Sequence, residues 1–287
     1  MQMNLKARIR QVIRHKLARQ KMLQSVYLYL GVFSTSATVL LIIFPKFTPG
    51  LPATVAALLI LLVVGAWSGL PRFPVQKFRN NTKIEIVVGD IFEQNTSCVI
   101  GFSNTFDTDV ANGIISQTSI QGQFLSRIYG NNVDRLNQDL SRELENVPIH
   151  DLIDKEGKQY VYPLGTVVSL PKEKGGFWYC IAYTEMDNEN VAHGTMSIIR
   201  NCLDLLWENV DKKSNGGVVS IPLIGLGLAR VPGISAEMAL YLILFSFFVR
   251  SRESKICECL RVVITEEDLS YIDIVGVQQF LYNMEVL

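Results

Sequence analysis

The 287-residue sequence predicts an α/β domain, built on a mostly parallel sheet with helices on both faces, behind a two-helix membrane hairpin. Three observations carry that prediction. Two uncharged stretches, of 24 and 25 residues, separate Lys21 from Lys46 and Lys46 from Arg72. Charge divides near the same place: residues 1–84 hold 12 Lys and Arg and no acid, whereas from Glu85 onward 15 basic residues meet 27 acidic ones, a net of −12. From residue 83 on, short β-branched runs alternate with segments of helical period.

Residues 1–21 form the first element. Leu5, Ile9, Val12, Ile13 and Leu17 recur at helical spacing among Lys6, Arg8, Arg10, Arg14, Lys16, Arg19 and Lys21. An apolar stripe among cations predicts a helix lying on an anionic membrane surface. Nucleic-acid binding by a basic arm is disfavoured because the arm abuts a greasy segment. Within residues 22–70, two stretches over 24–45 and 51–70 each meet the roughly 20 apolar residues a spanning helix needs. The first is too long for a signal-peptide core. Basic residues flank the pair on both sides and only Lys46 lies in the turn, so the N-terminus and the following domain are expected on the cytoplasmic side of a multi-pass protein. No ionisable group lies in either stretch. A single hairpin is therefore an anchor, and a membrane lesion needs several copies, a homo-oligomer. Gly31, Gly65 and Gly69 permit close helix contacts.

Residues 71–82, with two prolines and two asparagines, read as a juxtamembrane linker, and 83–287 as one cytoplasmic domain. Strands are expected at 83–88, 97–102, 165–170, 178–183, 217–221 and 260–265. Helical stripes run through Leu136, Leu140 and Leu144, through Ile198, Cys202, Leu205 and Leu206, and through Met238, Leu242 and Phe245. The five cysteines are scattered without zinc-ligand spacing, which fits a reducing compartment and no metal.

Ligands of such sheets sit beyond the carboxyl ends of the strands. Gly89-Asp90 ends the first strand there, "FSNTFDTD" follows the second, and the Gly225-Leu226-Gly227 turn follows the fifth. A strand, a glycine turn and then a helix suits a phosphate gripped by backbone N–H groups. No Walker lysine follows this turn, so triphosphate hydrolysis is not expected. Asp107 and Asp109 read as turn formers or solvated acids, and His150 and His193 as surface residues.

Taken together, "KIEIVVGDI", "VIGFSN", "GTVVSLP" and "VVSIPLIGLGLARVP" resemble a macro domain, over essentially all of residues 83–270. The resemblance implies a three-layer α/β/α sandwich with a mixed sheet that binds ADP-ribose derivatives without a cofactor. It places Asp90 on the adenine amino group with the Ile91 N–H nearby, and Asn104 on the distal ribose, followed by Thr105 and Phe106. Ser119, Gln121 and Gly122 fall in a remodelled first loop. Gly225, Leu226, Gly227, Leu228, Ala229 and Arg230 become the loop around the pyrophosphate. Hydrolytic members carry an Asn-Ala-Ala-Asn run and a triple glycine; only Asn104 matches here, so sensing is expected rather than turnover, with a membrane-tethered ADP-ribosyl hydrolase as the alternative.

Two spans ahead of a diverged macro domain resemble the transmembrane-macro effectors of type II Thoeris antiphage defence. That resemblance implies a bacterial inner-membrane protein. It also implies a signal made from NAD by a TIR-domain partner, histidine-ADP-ribose, and membrane disruption that ends in growth arrest or cell death.

Overall fold

The computed structural model describes residues 3–44, 46, 50–78, 81–214, 216–226 and 231–286. The chain divides into two compact units, Met1–Pro74 with Ile272–Phe280, and Val75–Tyr271 with Leu281–Leu287.

In the first unit, α1 (Leu5–Arg14) starts on the Asn4 side chain, which accepts from the Ala7 N–H, and ends at His15, whose backbone is extended. The helix α2 (Lys16–Ile43) then runs unbroken from the basic residues into the apolar stretch, and α3 (Leu51–Gly69) returns. Both are long and apolar enough to cross a membrane. Their surfaces expose large apolar side chains, among them Tyr27, Leu28, Ile42, Ile60 and Val63. They pack closely because α3 carries Gly65 and Gly69 one turn apart: a Cβ on Gly65 would lie 2.9 Å from Val26 Cα, and one on Gly69 2.7 Å from Met22 Cα. Ser25 and Ser68 hydroxyls meet at 2.7 Å in the same seam. A Cβ on Gly31 would meet nothing within 4 Å, so that glycine serves no close helix contact among the described residues. Arg8 closes the carboxyl end of α3, donating to Pro71 and Leu70 carbonyls, where the helix dipole favours a cation. Gln11 is buried, donating to Ile272 O at 2.9 Å and accepting from Ile274 N at 3.3 Å. The exposed face of α1 carries Leu5, Ile9 and Ile13.

The second unit is a mixed sheet between helices. Its strands are β1 (Val75–Lys77), β2 (Lys83–Val88), β3 (Ser97–Ser103), β6 (Val167–Pro171), β7 (Phe177–Met186), β8 (Ala192–His193), β9 (Val218–Pro222) and β10 (Cys259–Ile264). They run in the order β1-β2-β10-β9-β3-β7-β6, with β8 paired to β7. Neighbours from β2 to β7 are parallel, and β1 and β6 are antiparallel edges. Strand β1 lies in the segment read from sequence as a linker. A hairpin, β4 (Asp151–Leu152) with β5 (Tyr160–Val161), stands apart from the main sheet.

Side chains alternate across strands, so Cys98, Ile100 and Phe102 of β3 with Trp178, Cys180 and Ala182 of β7 form one core with α4 (Ile120–Ile128) and α5 (Val133–Leu144). The intervening Val99, Tyr179 and Ile181 are equally buried on the other face, which α6 (Met196–Lys213) and α7 (Ala236–Ser251) cover. There Trp207 donates to Ser246 Oγ at 2.9 Å. The short α8 (Glu266–Leu269) and α9 (Ile274–Val286) follow β10.

Two expected stripes need correcting. Leu205 of α6 is 45% exposed, and the buried face is Ile199, Cys202, Leu203, Leu206, Trp207 and Val210. On α7 the buried residues are Ala239, Leu240, Ile243, Leu244, Phe247 and Phe248, whereas Met238 and Phe245 are exposed. This helix is apolar nearly all round, so period alone cannot tell its inner face from its outer one.

Candidate functional site

The parallel strands place Asp90, Asn104 and Gly225 just past the carboxyl ends of β2, β3 and β9. Asp90 caps a 3-10 turn at Ile91–Glu93, accepting from Phe92 N at 2.9 Å, which leaves Ile91 buried behind it. Its other carboxylate oxygen pairs with Arg127 at the end of α4. That guanidinium lies 4.7 Å from the Phe92 ring centroid. Asp90 is thus engaged by a cation that no local sequence pattern announces, and an incoming amine would share or displace it.

Asn104 is 5% exposed and held on three sides. Its N–H donates to Thr184 O, its carbonyl accepts from Tyr162 N, and its Oδ1 accepts from Met186 N at 3.0 Å. This fixes the amide orientation. Its Nδ2 makes no hydrogen bond among the described residues, leaving an oriented donor.

The residues after Asn104 face inward. Thr105 and Phe106 are fully buried, and Phe106 holds a positive φ of 50°. For a bulky side chain that conformation costs on the order of 1–2 kcal/mol. Its ring packs on Phe102 and Tyr162, with centroids 5.6 and 5.8 Å away. Asp107 is neither a turn former nor solvated. It is 1% exposed and ion-paired with an equally buried Lys155 at 2.7 Å. It also accepts from Thr105 Oγ1 at 2.7 Å and from Lys158 N at 2.8 Å. Lys155 further donates to Glu156 O and Asn190 Oδ1. The β4–β5 hairpin therefore pins the Asn104–Asp107 segment. Gly157 is needed at its tip: its φ is +85°, and a Cβ would lie 2.6 Å from Asp107 Oδ1. Lys158 donates to Phe106 O at 2.7 Å, and burial pulls its ammonium down to about 8, with Asp107 opposing. Asp109 does form a turn; the Asn112 backbone and side-chain amides hold its carboxyl below the usual range.

Ser119, Gln121 and Gly122 serve the start of α4. Ser119 Oγ accepts from Gly122 N at 2.9 Å, and Gln121 donates to the Asp107 carbonyl. Gly122 is buried where a Cβ would lie 2.3 Å from Ser116 O. Gly225 turns with φ +87°, and a Cβ there would lie 2.4 Å from Ile199 Cδ1; Leu226 beside it is part-exposed. Gly227, Leu228, Ala229 and Arg230 lie outside the described residues.

Tyr183 was not expected. The β3–β7 register skips it, pairing Phe102 with Ala182 and Ser103 with Thr184. Such bulges re-aim a side chain. Its ring fills the space beside Gly101, where a Cβ would lie 2.3 Å from Tyr183 Cε1. Burial pushes its phenol up to about 12, while a hydrogen bond with the Gly225 backbone opposes. It ties the glycine turn to β3.

A cavity of about 540 Å3 lies between α4, α5 and the β6–β7 turn, lined among others by Phe92, Arg127, Tyr129, Lys172 and Trp178. None of the sequence-predicted site residues lines it. No group of three His, Cys, Asp or Glu side chains is placed to hold a metal ion among the described residues.

A family model described as "Thoeris protein ThsA, Macro domain" matches residues 84–265. A Thoeris protein ThsA from Bacillus amyloliquefaciens (strain Y2) is 25% identical over 211 residues, covering 71% of this chain and 69% of that one. The Oceanobacillus iheyensis macrodomain solved with ADP is 18% identical, with a TM-score of 0.51, and covers 75% of this chain and 98% of that one.

Proposed function

From the premise that this chain belongs to the ThsA macro-domain family of Thoeris proteins, we propose that its α/β domain senses an ADP-ribose-type signal in antiphage defence and switches a membrane hairpin. One observation carries the reading: Asp90, Asn104 and the Gly225 turn stand at the carboxyl ends of the parallel strands β2, β3 and β9, with β10 between β2 and β9, on the rim where such folds hold ligands. A carboxylate for an exocyclic amine, an oriented amide donor for a hydroxyl and a tight glycine turn for phosphate match the three parts of ADP-ribose.

The acids beside Asn104 support binding rather than turnover. Asp107 is committed to Lys155 and Asp109 to Asn112, so neither is placed to activate water. The signal we favour is histidine-ADP-ribose, the product of a TIR-domain partner. We place the protein in the bacterial inner membrane, with α2 and α3 as spans, and the α1 arm and the α/β domain in the cytoplasm. Nucleic acid is not a partner. Ligand acts by preferring one arrangement of several copies; equal affinity for both would shift nothing. The assembled hairpins disrupt the bilayer and arrest or kill the cell.

The test is titration calorimetry of the full-length protein with ADP-ribose and with its histidine adduct, beside dye release from vesicles. Saturable heat that weakens at least tenfold in Asn104→Ala, with ligand-dependent release, is expected. No heat with either ligand, or turnover of ADP-ribosylated protein dependent on Asn104, would sink the proposal.

A further inference from the structure

Helix α7 carries apolar side chains on its outer face as well as its inner one. Met238 and Phe245 are 39% and 56% exposed, Val249 46%, and Tyr241 and Leu242 are part-exposed between them. Their spacing (three, one, three and four residues) draws one stripe along the helix. Surface helices of soluble domains ordinarily carry polar groups there. The stripe's neighbours carry both signs: Glu237 at its amino end and Arg252 at its carboxyl end project from the same flank.

The pattern is self-complementary. If two α7 helices pack antiparallel about a two-fold axis between Ile243 and Leu244, Met238 faces Val249 of the other copy and Leu242 faces Phe245. The same operation brings Glu237 toward Arg252, twice. We infer that this stripe is the surface through which two copies of the chain dock, α7 against α7. A bilayer is a poorer occupant, because a helix that lies on lipid is rimmed by Lys and Arg, whereas this domain carries a net negative charge and the stripe's rim is balanced, Glu237 and Glu253 against Arg250 and Arg252.

The contact is small. A helix of 16 residues is about 24 Å long, and its single-helix interface falls short of the ~1,200–2,000 Å2 typical of stable complexes. Two copies tethered to one membrane gain effective concentration, so docking becomes conditional on what brings them together. Helix α7 starts eleven residues after Gly225, which places the docking face close to the ligand loop in sequence. The inference builds on the assembly proposed above and names its surface.

The five native cysteines are buried, so introduced thiols report alone. Met238→Cys and Val249→Cys in one chain lie about 16 Å apart along the helix, beyond the ~7 Å reach of a disulfide, so any bridge joins two copies. In full-length protein in vesicles with ADP-ribose, oxidation of this double variant is expected to give at least tenfold more covalent dimer than either single variant. Glu237→Arg or Arg252→Glu should cut that yield severalfold, and the two together should restore it. No dimer, equal dimer from a single variant, or no restoration by the swap overturns the inference. So does shielding of a Phe245→Cys thiol from aqueous reagents at one copy per vesicle, which assigns the stripe to lipid. ADP-ribose binding by the same variants, followed by calorimetry, should be unchanged. Intact binding without cross-linking counts against this surface alone, and lost binding in the parent protein counts against the functional reading.

Discussion

Removing the charge of Asp107 is the sharpest test of how the site is held. Asp107→Asn keeps the shape but leaves the Lys155 ammonium with two neutral acceptors, Glu156 O and Asn190 Oδ1. Both partners of the ion pair are essentially free of solvent. Breaking such a pair from one side costs about 3–5 kcal/mol, because the survivor stays buried and charged. Lys155→Met should cost on the order of 3 kcal/mol, less because Thr105 Oγ1 and Lys158 N still donate to the carboxylate. The double variant leaves no buried charge and should cost only about 1–2 kcal/mol. The coupling is then about 4–7 kcal/mol, far above the few tenths expected of independent sites. Urea unfolding of the full-length protein in detergent measures it. Trp178 and Trp207 are buried in the α/β domain and report its loss of packing. An Asp107→Asn cost below about 1 kcal/mol, or single costs that simply add, would refute the reasoning.

Two further outcomes follow from the same geometry. Gly225→Val should weaken ADP-ribose binding at least tenfold in calorimetry and lower the melting temperature, since valine suits neither the positive φ nor the 2.4 Å approach to Ile199. Lys158 has its folded-state pKa lowered to about 8 from 10.5, so the unfolded chain binds more protons between those values. Stability should therefore rise as pH climbs from about 8 toward 10.5 and level off below about 8; this slope should flatten in Lys158→Met, as read from urea midpoints at pH 7 and 9.5.

Much of the sheet was legible because its central strands are β-branched runs, and the ends of β2, β3 and β9 carry turn residues that stand out in sequence. The Gly225 turn showed itself for the same reason. What stayed hidden depends on contacts between residues far apart in sequence. Lys155-Glu156-Gly157-Lys158 reads as a polar surface turn, and only the fold brings it onto Asp107, 48 residues away. Arg127 carries no local signal, and only the fold brings it, at the end of α4, to Asp90. Tyr183 gives no local sign that it is skipped by the ladder, because a bulge belongs to two strands together. Helix α7 misled for a different reason: period finds a stripe but not which side the sheet is on.

The buried Gln11 fixes an order of events during synthesis. Its amide meets Ile272 O and Ile274 N, which the ribosome adds only after the last strand of the sheet, β10. Until those residues emerge, the nascent α1 arm has a polar side chain without the backbone it is shaped to meet. The hairpin residues leave the ribosome long before that. Helix α1 therefore reaches its finished packing only once the sheet of the second unit has been made, so an incomplete chain lacks a complete first unit.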